Sequence, residues 1–558
     1  MCASWWAYLG SVDKHHSILS TPKMGFLVAC GTLALLGTAH AYIWPSPQLD
    51  ALEAVRFDQL GFNTLAASLA NFVQPCNLFL FDPTINPNSG RSDAADWIRT
   101  AYHDAATHNS TDGTGGMDGS IRLPAEQARA ENVGNGFANT MGIVLAVVDR
   151  YVSNADAIAL GALIAIETCG GPEIAFRGGR IDAPVPNAPG VPVPEQGLDS
   201  HIASFARQGF TQTEMIGLVA CGVLRRHTFG GVQHSVFPNI VGVLNDPNST
   251  DDVAHFDSTF VTFDNNIAVE YIAGTTKDPL VVGFNDTTNS DKRIFGSDGN
   301  ATMHSFANSP ELFASTCADL FARMLDTVPS DVQLTDVITP LPVKPSSVKL
   351  IMDGDTLQLF GLVRLWNTTE DPNRTVRVLW HDHVGGTGNN TLSFIDTSSS
   401  TGGKYTATWY GFNSTITSRP LLLDPVAGVT SLSFVVDGVL KDQGGLGFAI
   451  QDGFMLSQTS CQGGAPVTGR VDVAVRNGVN PSRVYLEQIN IDSVQIRSIT
   501  EIDITPPTQP VAANSAYSLW SMNLTDQGMT FTIGAEIDGV KYSTTDPISF
   551  FDFAPCPE

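Results

Sequence analysis

The segment Arg99-Thr-Ala-Tyr-His103-Asp104 sets a guanidinium and an imidazole four residues apart. On an α-helix that spacing puts both side chains on one face, one turn apart, with Tyr102 beside them. A neutral imidazole so placed can take a proton from one oxygen of a peroxide and return it to the other. A fixed guanidinium stabilises the charge that develops as the O–O bond breaks. The same two residues also read as a structural histidine beside a surface arginine. An oxygen-rich turn, GGMDGSI, follows at once with Gly116, Asp118 and Ser120.

These residues need rigid elements to carry them. From about Leu52 to Thr327 the apolar residues recur at spacings of three and four, as in DAADWIRTAYHDA, SNADAIALGALIAIETC, TQTEMIGLVAC and ELFASTCADLFARMLDTV. Ser92, Ser153 and Thr211 stand where helix N-caps belong. Residues 338–347, ITPLPVKPSS, read as a proline-rich linker. Residues 348–558 change texture to short β-branched runs separated by turn residues, such as SVKLIMD, SLSFVVDG and RVDVAVRNG. The predicted architecture is multidomain: a mostly α-helical domain, then an all-β C-terminal region of one or two sandwiches.

The 558 residues carry a formal net charge of -26. That excess of acid argues against nucleic acid or an anionic membrane as partner, since phosphate binding needs clustered Lys and Arg. Residues 1–41 read as an N-terminal extension and signal peptide, with Met24 as an alternative start. Lys23 flanks a short apolar core, and Ala39-His40-Ala41 forms a small-x-small cleavage site before Tyr42. The apolar run is too short to span a bilayer and no longer one follows, so secretion is expected. Cleavage leaves six cysteines, enough for three bridges in 15 possible connectivities. Cys461 pairs attractively with Cys556 because both lie in the C-terminal part. Buried free thiols are the alternative, above all for Cys221. Nine Asn-x-Ser/Thr sequons agree with a secreted glycoprotein.

The Arg-x-x-x-His-Asp pattern and the turn after it resemble the haem peroxidases of the plant, fungal and bacterial superfamily, in their secreted fungal type. The likeness runs over roughly residues 55–340 and implies a peroxidase domain over 42–337. It implies His103 as acid/base and Arg99 as stabiliser of O–O heterolysis. Asn132, in PAEQARAEN, would accept the His103 Nδ1 proton. Asp104, Gly116, Asp118 and Ser120 would form a distal calcium site. His227 would be the axial ligand of haem b. Thr228, Asp257, Thr259, Thr262 (through its carbonyl) and Asp264 would hold a second, proximal Ca²⁺. Asp298 would accept the His227 Nδ1 proton and raise that ligand's basicity. Tyr102 stands for the usual distal Phe or Trp, and Phe256 lies on the cofactor's proximal side. The resemblance also favours a Cys76–Cys169 bridge.

The pattern breaks once. Family members run Ala-Cys-Gly-His-Thr, but here Val223, Leu224, Arg225 and Arg226 intervene before His227. Four extra helical residues move the next one by about 6 Å along the axis and about 40° around it. An error in the gene model, a looped-out bulge and a loss of normal haem ligation all account for the insert. A Mn²⁺ site of the lignin-attacking type is not expected, because its three carboxylate positions here are Ser92, Asp96 and Gly230. His381 and His383 in WHDHVGG form only a fragment of a metal site. The expected function is a secreted peroxidase, monomeric, that reduces H2O2 and oxidises small phenolic or aromatic donors. Its β region would dock on cell-wall polymer. The alternative is a catalytically impaired extracellular adhesion or cell-wall-binding protein. Haem content separates the two.

Overall fold

The computed structural model describes residues 46–63, 68–82, 88–222, 230–412, 420–463, 469–491, 497–509, 511–524, 530–544 and 547–556. Residues 1–41, read above as an extension and signal peptide, the insert Val223–Arg226, His227 and Thr228 lie outside them. Ten helices are used below: α1 (Pro47–Phe57), α2 (Asp93–Ala105), α3 (Gly136–Val144), α4 (Asn154–Thr168), α5 (Leu198–Arg207), α6 (Gln212–Ala220), α7 (Asn266–Ala273), α8 (Ser290–Phe295), α9 (Ala301–Asn308) and α10 (Pro310–Leu325). A mostly α-helical region is thus followed by a large all-β one.

Helix α2 starts where Ser92 caps it, its hydroxyl accepting from the Ala95 N–H, with Asp93 and Asp96 in the first turn to oppose the helix dipole. All its residues are buried, because α3, α4 and α10 pack around it. Close approach depends on Gly161 of α4: a Cβ there would lie 2.9 Å from both Val144 methyl groups and 3.6 Å from the Trp97 ring. Small residues of α4, ADAIALGALIA, bring the two backbones together. The helix that carries Arg99 and His103 is therefore held from every side by a close-packed core.

Among the described residues three disulfides form: Cys76–Cys169, Cys221–Cys317 and Cys461–Cys556. Both favoured pairings hold. The free-thiol alternative for Cys221 fails, because α6 ends beside α10 and brings its sulfur to Cys317.

In the C-terminal region, strands β1 (Val343–Asp353), β2 (Thr356–Trp366), β3 (Val376–His381), β4 (Thr387–Ser399), β5 (Thr406–Gly411), β6 (Ser431–Val436), β7 (Phe454–Ser457) and β8 (Gly469–Arg476) join one sheet in the order β6-β3-β4-β5-β2-β1-β7-β8. A second sheet stacks Arg497–Asp503, Arg483–Ile491, Thr530–Ile537 and Val540–Ser543 in that order. Two apolar cores result, one around Leu359, Val378 and Phe434 and one around Val473, Leu486 and Ile533.

The reading of 338–347 as a linker needs correction. Ile338 is buried and its N–H donates to Phe176 O at 2.8 Å. From Val343 onward the segment is already strand β1, its prolines notwithstanding. Lys344 Nζ reaches buried Glu53 of α1 at 2.6 Å and Asp50 at 2.8 Å. Arg364 of β2 pairs with Glu53 and, at 2.7 Å, with Asp58. Burial alone would raise the Glu53 carboxyl, but Arg364 and Lys344 hold it below the usual carboxylate range. Arg56 pairs with Glu167 of α4 at 2.6 Å, and Glu167 also accepts from the Thr401 hydroxyl. Leu60 and Gly61 extend the β sheet itself, opposite Ser399 and Ser398. Gly61 has φ +89°, and a Cβ there would meet Thr397 O at 2.8 Å, so no other residue suits that edge.

The two regions are therefore welded through buried charge, not tethered. Arg364→Leu leaves Glu53 and Asp58 without their shared partner and is expected to cost about 3–5 kcal/mol. Calorimetry should show a lowered midpoint for a transition that both regions share. An unchanged midpoint would contradict the weld.

Candidate active site

Arg99 and His103 project from the same face of α2 into a cavity of about 50 Å³, walled also by Val133, Val191, Phe237 and Val232. Both are nearly buried, at 7% and 4% exposure. His103 Nδ1 lies 2.6 Å from Asn132 Oδ1. The Asn132 amide nitrogen donates to Glu126 O at 2.8 Å. That second bond decides which end of the amide faces the ring, so the proton sits on His103 Nδ1 and Nε2 keeps its lone pair. Arg99 Nη2 donates to Val133 O at 2.9 Å.

One aromatic, Phe137, organises both groups, and no feature of the sequence singled it out. Its ring lies 4.3 Å beneath the Arg99 guanidinium and meets the His103 ring edge-on at 4.9 Å. It opens α3, four residues past Val133, and only the fold brings it there. Tyr102 is fully buried, edge-on to His103 at 6.0 Å and stacked on Phe205 at 6.4 Å.

Asp104 turns away from the cavity. Its carboxylate accepts the Gly119 N–H at 2.7 Å and the Ile121 N–H at 3.1 Å, closing the glycine-rich turn onto α2. Asp118 and Ser120 gather beside it, Gly116 O accepts from the Asp118 N–H, and Glu126 reaches the Ser120 hydroxyl at 3.2 Å. Burial first, then the Asp118 charge, pushes the Asp104 carboxyl well above its usual range. Burial likewise raises Asp118 and Glu126. Into this group comes Asn187, which sequence reading passed over. Its side-chain nitrogen lies 3.1 Å from Thr107 Oγ1, 2.9 and 2.8 Å from the Asp118 oxygens, and 2.9 Å from Ser120 Oγ.

On the proximal side the structure brings Asp257, Thr259 and Asp264 together. Thr259 Oγ1 lies 3.4 Å from Asp257 Oδ1 and 3.0 Å from Asp264 Oδ1. Thr262 N donates to Thr259 O in the same loop. Asp257 Oδ2 is buried with no hydrogen-bond partner. Burial, with the Asp264 and Glu270 charges, pushes the Asp257 carboxyl up to about 7. Phe256 is fully buried. Asp298 lies at the start of α9, where its Oδ2 accepts from Thr302 N–H at 3.0 Å and Thr302 Oγ1 at 2.6 Å, while Oδ1 is buried and unpaired. A second carboxylate, Asp291, is buried on α8, the helix packed against α6. Among the described residues, no group of three or more His, Cys, Asp or Glu side chains is arranged to hold a metal ion. His383 instead lies 2.9 Å from Asp452 in the β region.

Residues 83–309 match the family model described as "Peroxidase". The chain is 37% identical over 360 residues to a WSC domain-containing protein of Arthroderma benhamiae, covering 63% of this chain and 47% of that protein. It is 32% identical over 136 residues to a mitochondrial cytochrome c peroxidase of Yarrowia lipolytica, covering 23% of this chain and 39% of that one. It is 34% identical over 130 residues to peroxisomal L-ascorbate peroxidase 5 of Arabidopsis thaliana, covering 23% and 47%. The chain thus spans about half or less of the length of each of these relatives.

The amide relay makes a prediction of its own. Asn132→Val removes the acceptor that holds the His103 Nδ1 proton. Ring ¹⁵N chemical shifts should show Nδ1–H in the unaltered chain and a shift towards Nε2–H in the variant. Identical shifts would contradict the relay.

Proposed function

We propose, from the match of residues 83–309 to the family model described as "Peroxidase" and the likeness to a cytochrome c peroxidase and an L-ascorbate peroxidase, that this chain is a haem peroxidase that reduces H2O2. The observation that carries the reading is the His103 tautomer, fixed by Asn132, beside Arg99 in one cavity. Haem, when bound, would supply the electrons for O–O cleavage.

The chain's own part is proton and charge handling. His103 Nε2 takes the proton from one peroxide oxygen and delivers it to the other, which departs as water. The Nδ1–H bond to Asn132 steadies the ring while it is charged. Arg99, held by Val133 O and the Phe137 face, stabilises negative charge on the departing oxygen. The cavity beside Arg99 and His103 would admit peroxide to both groups. Phenolic or aromatic donors would supply the electrons that return the enzyme to its resting state.

His227 would bind iron through its imidazole, and the unpaired Asp298 Oδ1 would accept its Nδ1 proton. Asp291 competes for that role; Asp298→Asn and Asp291→Asn differ in which one shifts the haem absorption bands. The unpartnered Asp257 Oδ2, with Thr259, Asp264, the Thr262 carbonyl and Thr228, suits a proximal Ca²⁺. Three formed disulfides support a secreted protein.

Stopped-flow mixing with H2O2 tests the mechanism. His103→Leu is expected to slow the peroxide step by about 10²–10⁴-fold. Arg99→Leu should slow it by about 10²–10³-fold. Unchanged rates in both variants would exclude the reading.

A further inference from the structure

The resemblance implies a calcium ion among Asp104, Asp118 and Ser120, but the geometry there does not fit one. A single nitrogen, Asn187 Nδ2, lies 2.8–3.1 Å from both Asp118 carboxylate oxygens, Ser120 Oγ and Thr107 Oγ1. A Ca²⁺ ion bound to the same oxygens would sit 2.3–2.6 Å from each, in space that nitrogen already fills. The Asn187 amide presents its nitrogen to the two Asp118 oxygens, and an amide NH2 donates where a carboxylate oxygen accepts. We infer that the Asn187 side-chain amide occupies the distal cation position, so that this chain braces its distal half with its own amide and binds no calcium there.

The anchoring is built at several points. The Asn187 backbone N–H donates to Glu126 Oε2 at 2.9 Å, and its carbonyl accepts from Arg129. Ala183 N donates to Asp118 O at 2.8 Å. Arg122 Nη2 donates to Ala183 O at 2.7 Å. The loop 183–190 is thereby strapped over the glycine-rich turn, and a few residues on it supplies Val191, Pro192 and Val193 to the cavity wall. Asn187 is a positioning residue: it holds the turn against Asp104, next to His103, and sets one wall of the peroxide cavity. An amide does this without the loss of bracing that chelators or acid impose on a metal site.

This inference deepens the peroxidase reading, and calcium analysis separates the failure of either. The purified full chain, dialysed and measured for metal, is expected to hold at most one Ca²⁺ per chain, removed by Asp257→Ala. No calcium at all would sink the proximal assignment and leave the distal one standing. Two Ca²⁺ per chain, one of them lost in Asp118→Asn, would overturn the inference and make Asn187 a ligand turned through its oxygen. Asn187→Ala supplies a second readout. Its thermal midpoint should fall by several degrees and recover in millimolar CaCl₂, as the ion enters the space the amide leaves. A midpoint that does not fall, or that calcium does not restore, would also overturn it.

Discussion

One proton, on His103 Nδ1, depends on a chain of bonds that reaches from the cavity to the surface of the distal half. Asn132 accepts it only because the other end of its amide is spent on Glu126 O. The Glu126 carboxylate is spent in turn on Ser120 and Asn187. Asn187 ties that turn to the loop that walls the cavity. Each link is a neutral or charge-assisted hydrogen bond in a buried setting, where an unmade bond is expensive. The tautomer of the imidazole, the position of the guanidinium and the shape of the cavity therefore hold or fail together.

The β region obeys a different constraint. Glu53, Lys344, Arg364 and Asp58 are buried charges from both regions, and none is tolerable alone. Such a network adds little net stability over an apolar seam of equal shape, but it punishes any misalignment of α1 against β1 and β2. With Leu60 and Gly61 paired into the same sheet, the β region forms part of the wall behind the helical core. A binding module on a flexible tether would need none of this.

Much of the site was legible because its residues sit at local spacings. Arg99 and His103 share a face at four-residue separation, and Ser92 caps their helix; both follow from helical geometry alone. Asn132 and the Cys76–Cys169 bridge came from the family pattern, and the structure keeps both contacts. Phe137 and Asn187 were not legible. Each is a common residue in a segment without periodic signal, and each meets its partners only across the fold. The prolines of 338–347 misled for a related reason: they favour extended backbone, which a linker and the first residues of a strand share. Buried Lys344 carried no local mark of its partner, since Glu53 lies 291 residues away.

The most direct test is the absorption spectrum of the full chain, expressed as encoded, before and after one equivalent of H2O2. The expected result is a haem Soret band that shifts on addition of peroxide and returns when an aromatic donor is supplied. A chain that folds, with its three disulfides formed, yet holds no haem would contradict the peroxidase reading outright.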